Sequence, residues 1–296
     1  MEIAGRVYSL AQEQKNPALL IGACSVLAVT LYHLGDLETA RQHTLHGLQI
    51  WRSGTVSSPV EEVDAPVVTC AAFEAIIEWH AGEIASCRAT MAEAISLAKA
   101  LNDMHALAVA FFWAAVLGYY ERNPPEVERY ASDLLELATR HRFRYWRACG
   151  VILRGWARST LGNTAEGISW IEHGIQDNRS TGTMISLPLF LVLKAEALHL
   201  ADRTSEALET ISEAEKAVER SEEREWCAEL YRLRGVFLAS VGAEETRIEA
   251  SFCEAIRIAK EQKSLSLEKR AEGAYAEYRK QKRTVSGGRG FRLPLC

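Results

Sequence analysis

Six short stretches decide the fold: Tyr32-His-Leu-Gly-Asp36, Trp79-His-Ala-Gly-Glu83, Tyr119-Tyr-Glu-Arg-Asn123, Ser159-Thr-Leu-Gly-Asn163, His199-Leu-Ala-Asp-Arg203 and Ala239-Ser-Val-Gly-Ala243. Their starts are 47, 40, 40, 40 and 40 residues apart. A small residue stands four positions before each: Ala28, Ala75, Ala115, Gly155, Ala195 and Gly235. A small residue at a fixed place in every unit lets a neighbouring helix approach closely. Self-similarity at this period marks a repeat architecture.

Around each pentapeptide the chain reads as two helices. In unit four Val151, Ile152, Leu153, Trp156 and Leu161 supply an apolar face before the break. Glycine in the pentapeptide suits the left-handed residue that ends a helix. Asn163-Thr-Ala-Glu166 has the residue types of a capping box, and Asn123-Pro124-Pro125 is a second start signal. Ala207, Leu208, Ile211, Ala214 and Val218 carry the helical spacing into the second helix of unit five. The best strand candidate, Val63 to Thr69, is interrupted by Pro66. The expectation is an all-α solenoid over residues 1–283, with six helix pairs and a half-unit at each end. The extra seven residues of the first interval predict a longer loop near Ser53–Asp64. Residues 284–296 read as a frayed basic Gly/Arg-rich tail.

Composition limits the function. The 296 residues are 48% hydrophobic and 25% charged, as in folded chains. No apolar run reaches the ~18 residues of a membrane span, and no signal peptide is visible. Seven scattered cysteines with no C-x-x-C pair suit reduced cytoplasmic thiols. The net charge of −5 argues against general nucleic-acid binding. His43 and His46 lie on one helix face but lack a third ligand, so no metal or cofactor is expected. Glu222-Glu223 and Glu244-Glu245 read as solvated turn residues. The run from Arg140 to Arg147 interleaves bases with aromatics and reads as an inter-unit turn.

The order of small residue, aromatic, Gly-Asp/Glu and second-helix alanine resembles tetratricopeptide repeats, through Ala28, Leu31, Gly35-Asp36, Ala40, Ala207, Phe252 and Ala255. Residues 152–157, 229–235 and 255–259 are similar to the C-terminal repeat region of bacterial predicted ATPases and class III adenylate/guanylate cyclases. That resemblance implies a right-handed superhelix and an interaction or sensor arm. It implies a protein or peptide partner in a concave groove, with catalytic or ATPase parts elsewhere, in cis or in trans. The chain itself has no G-x-x-x-x-G-K-[ST] phosphate loop, so no enzyme is expected. A ligand-sensing arm of a signal-transducing-ATPase-type transcription regulator and an unrecognised enzyme are the alternatives. The groove register of the resembled family falls on Tyr32, His33, Trp79, His80, Phe112, Tyr119, Tyr120, Trp156, Glu196, His199, Glu229 and Arg232.

Overall fold

The computed structural model describes residues 2–54, 56, 65–284 and 293–295. Among these it holds fourteen α-helices, one 3-10 turn and no strand. A lone helix, α1 (Glu2–Glu13), comes first. Six pairs follow: α2 (Pro17–His33) with α3 (Leu37–Arg52), α4 (Pro66–His80) with α5 (Ile84–Ala100), and α6 (Met104–Tyr120) with α7 (Pro124–His141). The next are α8 (Arg144–Thr160) with α9 (Thr164–Ser180), α10 (Leu187–Leu200) with α11 (Thr204–Ser221), and α12 (Cys227–Ser240) with α13 (Glu245–Glu261). The 3-10 turn Arg224–Trp226 leads into α12, and α14 (Leu265–Thr284) stands alone at the far end. The architecture is the expected all-α array of tetratricopeptide-like pairs.

Each pair turns at its pentapeptide. The fourth residue is left-handed in all six: Gly35 (φ 83°), Gly82 (82°), Arg122 (53°), Gly162 (105°), Asp202 (59°) and Gly242 (68°). Glycine adopts this region freely, whereas an L side chain there costs roughly 1–2 kcal/mol. Arg122 and Asp202 bear that cost. Asp36 and Asn123 then cap the second helices by accepting from the backbone N–H of Thr39 and Glu126. The box expected at Asn163–Glu166 does not form: the Asn163 side chain makes no capping bond. The described part of the strand candidate is helical, since Pro66 opens α4, a position where its missing N–H costs nothing.

The small residues stand where helices touch. A Cβ on Gly155 would lie 2.7 Å from the Gly167 carbonyl oxygen, and one on Gly235 would lie 2.9 Å from the Phe252 ring. Ala28, Ala75, Ala115 and Ala195 are wholly buried. The array also closes on itself. The first pair reaches the 3-10 turn through His33 and Glu225. Across the same seam His80 meets Ser264, Ser266 donates to the Trp79 carbonyl, and Lys263 pairs with Glu38.

Most of the loop near Ser53–Asp64, and residues 285–292 of the tail, lie outside the described residues. The described tail residues pack on the array, and Leu293 is buried. No described helix is long and apolar enough to cross a membrane.

Candidate functional site

Three of the first helices, α4, α6 and α10, are apolar on nearly all sides, so both of their faces are covered, whereas α8 turns an arginine-bearing face outward. Every side chain of α6 from Ala106 to Tyr120 is buried. The second helices carry the polar outer surface. The inner wall of the array is therefore built by α2, α4, α6, α8, α10 and α12, and the seam residues close it.

That closure changes the status of the groove residues. Tyr32, Trp79, His80, Phe112, Tyr119, Tyr120, Trp156, Glu196, Glu229 and Arg232 are each at most 4% exposed. His33 and His199 are half-buried. An open groove would have left the rings on a free surface; instead the first and last units meet, and the rings fill the space between them. Trp79 stacks on Tyr120 at 4.3 Å, and Tyr120 stacks on Trp226 at 5.3 Å. The Tyr32 and Tyr120 hydroxyls share a hydrogen bond of 3.3 Å. Phe112 packs instead on Trp113 and Trp146.

Beside the rings lies a buried ion network. Arg122 Nη1 donates to both Glu196 oxygens at 2.9 and 2.8 Å, and its Nη2 donates to Glu229 at 2.7 Å. Arg232 forks onto Glu229 at 2.9 and 2.8 Å. Arg270 stands 3.4 Å from Glu229, donates to the Tyr120 carbonyl and lies over the Trp79 ring. Tyr119 and Trp156 each donate to Glu196 at 2.9 Å. Three guanidiniums thus face two carboxylates. Burial disfavours the Glu229 anion, but Arg232, Arg270 and Arg122 outweigh it and hold its carboxyl well below the usual range. Burial and Arg270 together push the His80 imidazole down to about 3, so it is neutral.

The seam holds a second cluster. His33 Nδ1 donates to Glu225 Oε1 at 2.6 Å and stands 3.9 Å from Glu223 Oε2. Burial, and then the Glu225 charge, push Glu223 up to about 7. Burial opposes the His33 cation, but Glu225 and Glu223 raise it above the ordinary histidine value. Glu223 Oε1 and Glu225 Oε2 are buried without hydrogen-bond partners. One atom from each of the three side chains lies within 4.8 Å of the others, a set able to hold either a shared proton or a divalent cation. The expectation of a solvated Glu222-Glu223 turn fails at Glu223, which is 4% exposed because the first pair covers it. Among the described residues His43 and His46 join no metal-ligating set; they pack on Tyr8, and His46 also meets Cys24.

A cavity of about 790 Å³ opens beside the network, lined by Arg122, Trp156, Glu196, His199, Ser240 and the segment Leu293–Leu295, among others. Arg122, Arg270, Trp226, Glu223, Glu225 and Ser264 were missed by the sequence reading. Only Arg122 left a signal, as a non-glycine at the left-handed position of its repeat.

A sequence profile described as tetratricopeptide repeat matches residues 21–44. The chain is 25% identical over 199 residues to an uncharacterized protein, R02095, of Rhizobium meliloti (strain 1021), covering 67% of this chain. It spans only 19% of that relative's length. Among solved structures, the crystal structure of the apo form of RapI superposes with a TM-score of 0.54 at 12% identity, over 87% of this chain and 99% of that one. The fold is thus that of a tetratricopeptide-like helical repeat protein.

Proposed function

We propose that this chain is a non-catalytic repeat scaffold or sensor region that holds a protein or peptide partner in its concave interior. The observation that carries the reading is the cavity of about 790 Å³, lined by the Trp156 ring, by Arg122 and Glu196 of the charge network and by apolar side chains such as Leu200 and Val241, with Arg122 Nε buried and without a partner. Pockets of this size, mostly apolar with a few placed polar groups, suit an extended segment better than a flat protein face. The relative being about three and a half times longer than this chain supports an arm of a larger protein, with cyclase-type or ATPase-type parts in cis or trans and a bacterial signalling role in the cytoplasm. The carboxylates of the inner network, Glu196 and Glu229, are committed to arginine ion pairs that hold the array, which favours binding over turnover.

The test uses the full chain carrying a photo-crosslinking residue at Ser240, on the cavity wall, or at Arg52, on the outer surface. In cells that make the chain, the Ser240 position should capture a peptide segment of another protein that Arg52 does not. Equal capture at both positions, or none at Ser240, rejects the reading, as does nucleotide turnover that survives repurification.

A further inference from the structure

The cavity is already partly occupied by this chain. Leu293, Pro294 and Leu295 lie at its wall. Leu293 is buried, and Leu295 packs on the apolar core. Pro294, between them, faces solvent. Burial alternates along the three residues, the pattern of an extended chain whose side chains two apart share one face. Proline also holds its neighbour away from helix. The main chain is engaged as well: the Leu295 carbonyl accepts from Arg232 Nη2 at 3.1 Å. An extended backbone read by a fixed donor, with alternate side chains in an apolar wall, is the way an extended peptide is held in a groove.

The receiving side is built rather than incidental. Arg232 is 1% exposed and is fixed by its fork onto Glu229. Its Nη1 is buried with no partner. Three guanidiniums share two carboxylates, so the network keeps donor capacity at the point where the segment's carbonyl arrives. The segment's carbonyl takes the second hydrogen of Nη2, which also serves Glu229, and Nη1 keeps a further donor beside it.

We propose that Leu293-Pro294-Leu295 is an internal ligand of the cavity. The exchangeable partner is then an extended peptide of the same pattern, with leucines two apart and a main-chain carbonyl presented to Arg232. This rests on the concave interior being a peptide site, and it adds that the site is self-occupied and must be vacated before a partner enters.

The probe is a fluorescein-labelled synthetic peptide of residues 287–296 with Cys296→Ser, followed by fluorescence anisotropy. The receptor is the full chain, either unchanged or with Leu293→Asp and Leu295→Asp to undock the internal segment. The undocked chain should bind the peptide at least tenfold more tightly than the unchanged chain. A peptide carrying the same two aspartates should lose binding, and adding Ser240→Phe to the undocked chain, which fills the cavity, should weaken it at least tenfold. The proposal is overturned if the folded, undocked chain fails to bind, or if both chains bind equally. It is also overturned if undocking melts the helices, since the segment is then a piece of the core. These outcomes are separate from the crosslinking test, which reads partners from other chains. Self-occupation can stand while that test fails, and the reverse.

Discussion

The interfaces inside each helix pair and the seam that closes the array are made in opposite ways. Within a pair, contact is apolar and set by a small residue: Gly155 lets α8 approach Gly167 and Ile171 of α9, with no charge involved. Across the inner wall and seam, contact is polar and long in sequence. His33 meets Glu225, Tyr119 meets Glu196, and Arg270 reaches the Tyr120 carbonyl. The first kind repeats, so it tolerates drift in any one unit. The second occurs once, and each member depends on the others, because a buried charge without its partner costs several kcal/mol.

That difference gives the largest expected effect. Replacing Glu229 with Met removes the anion on which Arg122, Arg232 and Arg270 converge, and leaves buried guanidiniums without compensation. The cost should be about 3–5 kcal/mol in a urea titration. A loss under about 1 kcal/mol would show that the network is solvated and that the wall is held by its rings alone. The pair interfaces come next. Gly155→Leu would press a side chain against a backbone carbonyl, whereas Gly235→Leu would press on the Phe252 ring, which can swing. Overpacking costs roughly 1–3 kcal/mol, and Gly155 should take the upper end and Gly235 the lower. Reversal of that order in thermal melts would mean that α8 and α9 separate more easily than their contact suggests.

The same contrast explains what could be read in advance. The helix pairs were legible because repetition multiplies a weak local signal: six left-handed turns and six small residues share one register, and only the cap at Asn163 misled. The family register puts the groove candidates along one face, but ten of the twelve are buried. Their exposure was not legible, because burial there depends on the first and last units meeting, and Tyr32 lies 192 residues before Arg224, whose carbonyl accepts from Gln262 at that seam. Glu223 looked like a turn acid for the same reason. Its neighbours in sequence are polar, and the histidine that covers it comes from the other end of the array.

The smallest effect expected concerns protons at that seam. Glu223 is raised from 4.5 to about 7, and His33 is raised above 6.5 by Glu225 and Glu223. The other groups facing them are the Tyr32 and Tyr120 phenols and the Cys227 thiol around Glu225, and the Tyr145 phenol near Glu223. Burial raises all four, so they stay neutral near pH 7. Arg224 lies 3.9 Å from Glu222. For both titrating groups the folded state binds protons more tightly than the unfolded one, so stability must fall as pH rises. Glu223 begins to subtract above its unfolded value and finishes as pH passes about 7. The contribution of His33 is complete below its unfolded value and disappears as pH rises through its folded one. Isolated, the Glu223 shift would correspond to at most about 3 kcal/mol, and proton sharing among the three side chains reduces this to on the order of 1–2 kcal/mol. Urea titrations in EDTA between about pH 5 and 8 should show that decline. Glu223→Gln, which stays neutral throughout, should flatten the Glu223 part and leave the His33 part above about pH 6.5. A chain that gains stability over this range would show that the seam prefers both carboxylates ionised.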